Sequence, residues 1–216
     1  MAHRISSLSR TYRHINRYRE IIRVLVKHGF GDLITRTNLE RYINRGRRLL
    51  SRQGKAKIAS LSRWERIRMV LEELGPTFIK LGQIMSNRPD LIPQELITEL
   101  AKLRENVPPF SSEEARLLIE KELGKPVAEI FGEYSPTPIA SASIAQVHRA
   151  SLLNGEEVAI KLQRPGIEQI IETDLEIMFD LAALMEKHIQ KVGILHPVGI
   201  VEEFERSIKR ELDFTI

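Results

Sequence analysis

The dipeptide Asn154-Gly155 limits what this chain can fold into more than any other feature. It separates AQVHRASLL (residues 145–153) from EEVAIKLQR (residues 156–164), two stretches with extended patterning. Asparagine and glycine tolerate the positive φ that tight turns between antiparallel strands need. The two stretches are therefore predicted to pair as a β-hairpin. A third short extended segment, SPTPIASAS (residues 135–143), precedes them.

Helical patterning lies on both sides of this small sheet. HINRYREIIRVLVKHGF (residues 14–30) sets Ile15, Tyr18, Ile22, Leu25 and Val26 at helical spacing, with basic residues between. Ser62 and Glu65 have capping-box spacing and open a helix through Leu74. GPT at 75–77 interrupts it, and Pro76 suits the first turn of the next helix, which carries TFIKLGQIM. SNRPDLIP turns the chain, and QELITELAKLREN is again helical. Ser111 and Ser112 are candidate caps for SEEARLLIEKELG, whose acids fall where the helix dipole favours them. Helix returns over residues 168–189 and, after HPVGI, over residues 201–216. The predicted class is α+β: helices, a small antiparallel sheet, then helices.

Charge divides the chain. Residues 1–69 hold 18 Lys/Arg and 4 Asp/Glu, whereas the remainder holds 15 and 25, so the two parts are predicted to do different work. The basic helix near the start reads either as a helix packed on its own domain with a solvated basic face, or as one lying on an anionic membrane. Nucleic acid is not an expected partner, because no recognised module and little aromatic interleaving accompany the charge. NRGRRLLSRQGKAKIAS (residues 44–60) reads as a surface link or frayed helix. The absence of cysteine excludes disulfides and thiolate metal sites. No apolar run reaches membrane-spanning length. The start lacks a secretory apolar centre; its Arg and Ser content leaves a mitochondrial transit peptide open.

The chemistry is concentrated around the hairpin. Ala140, Ala142, Ala145 and Val147 stand as A-x-A-x-x-A-x-V. Protein kinases place G-x-G-x-x-G-x-V before a strand V-A-I-K, and Val158-Ala159-Ile160-Lys161 supplies that tetrapeptide unchanged. In such a site the lysine orients the α- and β-phosphates of ATP, loop N–H groups face phosphate, and Val147 would pack beside the adenine. Alanine does not reach positive φ cheaply, so this loop is expected to be stiffer than a glycine loop. Ser141 and Ser143 add hydroxyls that could cap backbone or touch phosphate. His148, on a strand with small and apolar flanks, reads as structural rather than as an acid–base group. Glu172 and Asp174, in a sequence ETD, read as solvated surface.

At these residues the chain resembles the ABC1/ADCK/UbiB family of atypical protein-kinase-like proteins. That family replaces the glycine loop by an alanine-rich one and carries a helical extension with a K-x-G-Q motif. Here the motif is Lys80, Gly82 and Gln83 in FIKLGQIMSNRPDLIP, and the family's E-x-D motif falls on Glu211 and Asp213 in RELDF. The resemblance implies a kinase-like small lobe preceded by a helical extension, with the large lobe absent. It implies ATP bound by Ala140, Ser141, Ala142, Ser143, Ala145, Val147 and Lys161. It also implies that Lys80 pairs with Glu211 and Asp213, with Gln83 on the same helix face, occluding peptide substrates. Glu211 and Asp213 are two apart and would not share a face on an unbroken helix, so one is expected at a bend, or Lys80 engages mainly one.

The implied divisions are residues 1–60 (basic helical segment), 61–133 (extension with K-x-G-Q) and 134–216 (partial small lobe). A glutamate four positions after Asp213, the catalytic-loop residues, the Mg²⁺-holding aspartate and a membrane-spanning tail would follow in the family. No H-R-D or D-F-G stretch occurs here. The expectation is thus an N-terminal part of an atypical kinase or ATPase that supports isoprenoid-quinone biosynthesis, with weak ATP binding and negligible turnover alone. Its implied partners are an isoprenoid or phenolic lipid precursor, a membrane surface and quinone-biosynthesis proteins, in a cytoplasmic, membrane-associated setting. A nucleotide-binding pseudokinase and a membrane-surface adaptor are the alternatives.

Overall fold

A computed structural model describes residues 2–36, 60–103, 108–188 and 196–214. The predicted link at 44–60 lies outside the described residues, apart from Ser60. The chain forms two compact units: Met1–Leu103 with Glu168–Ile216, and Arg104–Ile167.

The first unit is helical. Helices α1 (Ala2–Lys27), α2 (Gly31–Arg36), α3 (Arg63–Leu74), α4 (Pro76–Met85) and α5 (Gln94–Leu100) precede the second unit in sequence. Helices α8 (Ile167–His188) and α9 (Pro197–Leu212) follow it. α3 begins as its capping box predicts: the Glu65 N–H donates to Ser62 Oγ (3.1 Å), and the Ser62 N–H to the Glu65 carboxylate (2.8 Å). Gly75 ends α3 at φ 92°, a conformation side chains resist, and Pro76 starts α4 immediately. One core joins Met85, Ile92, Leu96, Leu100 and Leu103 beneath Trp64, Ile67 and Leu71.

α1 packs against its own unit through Ile21, Ile22 and Val24. Of the predicted face, Ile22 is buried and Tyr18, Leu25 and Val26 are half-buried, while Ile15 is exposed. Arg17 turns inward, and its Nε reaches Asp174 Oδ1 at 2.7 Å. This corrects the reading of Asp174 as solvated: its side chain is 1% exposed, whereas Glu172 is exposed as predicted. The physical reason is the partner. An ionised carboxylate is buried at tolerable cost when a guanidinium meets it bidentately, and Arg17 Nη2 also reaches Asp174 Oδ2 at 3.0 Å. The same Nη2 donates to the Leu74 carbonyl at 2.7 Å, satisfying a carbonyl at the C-terminus of α3. Burial works against the Arg17 charge, but Asp174 and Glu20 outweigh it and hold its pKa above the ordinary arginine value.

α9 differs from its predicted span at both ends. It starts at Pro197, taking in part of HPVGI, and stops at Leu212 rather than running to the chain end. Val201, Phe204 and Ile208 make its buried stripe.

The second unit is a helix on a sheet. α6 (Ser112–Leu123) starts at a capping box of Ser111 with Glu114 and ends at Gly124, which is left-handed at φ 71°. Ser111 is thus the cap, of the two serines foreseen. The short α7 (Val127–Ile130) leads directly into β1 (Phe131–Tyr134). These two elements were not foreseen, and SPTPIASAS contributes only β2 (Ala140–Ser141). The hairpin β3 (Ala145–Leu152) and β4 (Glu157–Gln163) forms as predicted. β3 is central: β4 pairs along one edge, and β1 and β2 pair with successive parts of the other. Ala150 and Leu162 bury one face of the sheet against Ala115 and Ile119 of α6. A side chain such as Ile119, 2% exposed, contributes about 1.5–3 kcal/mol of transfer free energy.

Candidate functional site

Two arrangements of predicted site residues appear, one in each unit. In the sheet unit, Val147 and Lys161 are direct register partners on β3 and β4. Paired residues project to the same face, so both lie opposite the face that packs on α6. Lys161 and its neighbour Ala159 are exposed there, and Val147 is half-buried. Ala140 pairs with Val147 on the other edge of β3, which brings the alanine loop beside the same position.

The loop closes as a tight turn. The Ala142 N–H donates to the Ala145 carbonyl at 2.8 Å, leaving Ser143 and Ile144 between. Among the described residues His196 is the only non-glycine at positive φ, so the alanines turn the chain without entering the left-handed region. This is how alanine replaces glycine here: the turn taken does not require what only glycine supplies. Ser143 is 1% exposed, and its Oγ has no hydrogen-bond partner. A buried hydroxyl without a partner is rare and marks a place where a further polar group fits.

Beneath the loop runs a buried polar chain. The Phe110 N–H donates to Gln146 Oε1 at 3.0 Å, and Gln146 Nε2 lies 2.8 Å from His148 Nε2. His148 Nδ1 lies 2.9 Å from the Ser135 carbonyl. A carbonyl only accepts, so Nδ1 carries the proton and Nε2 accepts from the amide. Both ring nitrogens are engaged, and His148 acts as a structural tie, as its position on the strand implied.

A residue that sequence reasoning passed over holds this loop from the other side. The Arg164 guanidinium Nη2 lies 3.0 Å from the Pro108 carbonyl, 3.3 Å from the Ala142 carbonyl and 3.5 Å from Ser141 Oγ. Its main-chain N–H donates to the Ile144 carbonyl at 2.8 Å. Burial pushes its pKa below the ordinary arginine value. The only signal was an arginine three residues beyond the strand lysine, just before Pro165-Gly166.

In the helical unit, Lys80 Nζ of α4 lies 2.6 Å from Glu211 Oε1 of α9, with the two side chains 15% and 32% exposed. Arg88 pairs with both Asp90 and Glu203. Positions 80 and 88 therefore meet 211 and 203, and the two segments run antiparallel between two ionic brackets. Asp213 lies beyond the end of α9 at φ −83°, ψ 106°. The helix break removes the conflict posed by two carboxylates two residues apart. Gln83 Nε2 contacts the Leu103 carbonyl at 3.4 Å. Gly82 has no room for a side chain: a Cβ there would lie 2.2 Å from Leu103 Cδ1 and 2.9 Å from Leu71 Cδ1. The glycine of K-x-G-Q is thus where α3 and the chain after α5 close on α4. A groove of about 410 Å³, lined by residues including His14, Glu172, Phe179 and Lys209, contains none of the predicted site residues.

An antiparallel sheet backed by a helix, bearing a tight alanine loop and a strand lysine opposite its valine, defines a kinase-like small lobe with a helical extension. The ABC1 atypical kinase-like domain matches residues 102–216, and the chain belongs to that family. Proteins named "Probable protein kinase UbiB" are close relatives. That of Marinobacter nauticus is 52% identical over 153 residues, covering 71% of this chain and 28% of its own length. That of Pseudomonas fluorescens is 42% identical over 200 residues, covering 92% and 38%. That of Aeromonas salmonicida is 43% identical over 207 residues, covering 94% and 37%. The chain thus spans between 28% and 38% of the length of these relatives. Among solved structures, the complex of Rv3197 with erythromycin from Mycobacterium tuberculosis is 31% identical, aligns with 68% of this chain and 37% of that one, and gives a TM-score of 0.42. No helix among the described residues is long and apolar enough to cross a membrane.

Proposed function

We propose that this chain carries the nucleotide-gripping part of an atypical kinase or ATPase of the UbiB type, which supports isoprenoid-quinone biosynthesis at a membrane surface. The observation that carries the reading is the register Val147↔Lys161 with the alanine loop beside it. It sets a cation and an apolar platform on one face with the alanine loop beside them, elements that a nucleoside polyphosphate site needs. The orphaned Ser143 hydroxyl fits a phosphate oxygen as partner. ATP, when bound, supplies the transferable phosphoryl group. Lys161 holds and orients its phosphates, Val147 sits against the base, and Ser141 and Ser143 offer hydroxyls.

The residues present do not fit Mg²⁺ in the same way. Among the described residues no three His, Cys, Asp or Glu side chains converge. Negligible turnover by these 216 residues alone is part of the proposal. In the helical unit, Lys80, Gln83, Glu211 and Asp213 carry the family's motifs, and the proposed substrate is a small lipid or phenolic precursor rather than a peptide.

The test is binding of a fluorescent N-methylanthraniloyl-ADP to this chain and to Lys161→Ala. Saturable binding lost in the variant supports the reading. Equal binding by both, or none by either, overturns it.

A further inference from the structure

The relation of Arg164 to the loop goes one step beyond nucleotide binding, and it rests on that reading. Arg164 follows Lys161 by three residues, at the end of the same strand. Its side chain reaches back to the Ala142 carbonyl (3.3 Å) and to the Pro108 carbonyl (3.0 Å), while its main-chain N–H takes the Ile144 carbonyl (2.8 Å). The Phe110 ring lies 5.6 Å from the guanidinium carbon and seats it. Phe110 is itself fixed through its N–H to Gln146. The loop is thus held to the strand of Lys161 by the Arg164 side chain, at the Ala142 carbonyl and at Ser141 Oγ, and by one backbone bond to the Ile144 carbonyl.

A peptide unit is planar and trans, so its N–H points opposite to its carbonyl. Holding the Ala142 carbonyl therefore fixes where the Ser143 N–H points. In a glycine loop such a peptide can turn over. Here the alanines restrict φ and the arginine restricts the plane.

We infer that Arg164 is a positioning residue for the phosphate loop: it locks the Ala142–Ser143 peptide and so pre-organises the loop donors relative to Lys161. The lock is specific to a guanidinium. Lysine offers a compact point charge on a flexible stem and does not reproduce a planar donor seated on an aromatic ring. Without the lock, the loop must be ordered each time a nucleotide binds, which weakens affinity.

The experiment uses the 216-residue chain, with hydrogen exchange over residues 140–146 and N-methylanthraniloyl-ADP affinity as separate readouts. Arg164→Gln is expected to speed exchange in the loop while β3–β4 amides beyond it stay protected. Affinity is expected to fall about three- to tenfold, the size of a lost pre-organisation. Arg164→Lys is expected to resemble Arg164→Gln rather than the parent. Phe110→Leu, which keeps the arginine but removes its seat, is expected to change both readouts in the same direction by less, and it serves if Arg164→Gln does not fold. Unchanged loop exchange in these variants overturns the lock. Faster exchange with unchanged affinity, where Lys161→Ala abolishes binding, overturns its role toward nucleotide. If Lys161→Ala binds like the parent, the nucleotide reading fails, and loop exchange alone still decides whether Arg164 holds the peptide.

Discussion

Lys80 of α4 and Glu211 of α9 form an ion pair at 2.6 Å, and they do so from helical segments 131 residues apart in sequence. Arg88 with Glu203 forms the second bracket of the same antiparallel pair. A charge exchange separates a pairwise contribution from a merely tolerated position. Lys80→Glu and Glu211→Lys should each lower stability, and the double variant should recover part of the loss. A coupling of roughly 1 kcal/mol in urea titrations is expected for a half-buried pair. No coupling would mean that the pair does not hold the two helices.

Gly82→Ala should destabilise the helical unit. The added methyl would sit 2.2 Å from Leu103 Cδ1, closer than any relaxed contact, and overpacking of this kind costs about 1–3 kcal/mol. Thermal melting should show the loss, and the cost of Gly82→Ala should be smaller when measured in a Leu103→Ala background, where the space is vacated. A Gly82→Ala variant as stable as the parent would show that the neighbours move freely.

Asp174→Asn should be among the most damaging single changes in the chain. It leaves Arg17, 16% exposed, with only the more exposed Glu20 as a charged partner, and breaking a buried pair from one side costs up to about 3–5 kcal/mol. Exchanging Arg17 and Asp174 together for Met and Leu should cost much less, because no buried charge then stays unpaired and Glu20, which loses Arg17, is exposed. Denaturant midpoints of the two variants and the parent decide the matter.

Glu73 predicts a pH dependence. Burial raises its pKa, but Lys27 and His28 outweigh that and hold it below the ordinary value of 4.5. A carboxyl whose pKa is depressed on folding adds stability that is fully present above about pH 4.5. That stability is lost as pH falls through the lower, folded value. Helical circular dichroism of the parent should therefore weaken on acidification below that point, and Glu73→Gln should flatten that part of the profile. Identical acid profiles would remove Glu73 from the account.

The features legible in sequence were those with local causes. Ser62 and Glu65 meet across three residues, and Asn154-Gly155 sets its turn within four, so each could be read from neighbours alone. The β1 strand and α7 were missed because four-residue elements show no period. Asp174 was misread because its partner Arg17 lies 157 residues away, and nothing in ETD reveals which side of α8 is buried. Arg164 escaped notice for a different reason. Its acceptors are the carbonyls of Pro108, Ala142 and, through the main chain, Ile144, and every residue has a carbonyl. The motif residues Lys80, Gln83, Glu211 and Asp213 were found by resemblance, while the break at Leu212 that sets Glu211 and Asp213 apart came from the fold.

The hairpin turn has one more consequence. Between the paired positions Leu152 and Glu156 stand three residues, with Gly155 at φ 87° and Asn154 Oδ1 accepting the Glu156 N–H at 3.0 Å. Side chains along β4 alternate with a period of two, so the side on which Lys161 stands is a matter of odd and even. One residue added to β4 between the turn and Lys161 would send the lysine toward Ile119 and turn Leu162 out to water. Which face of the sheet bears the cation is therefore decided by counting, at a surface turn that never touches it.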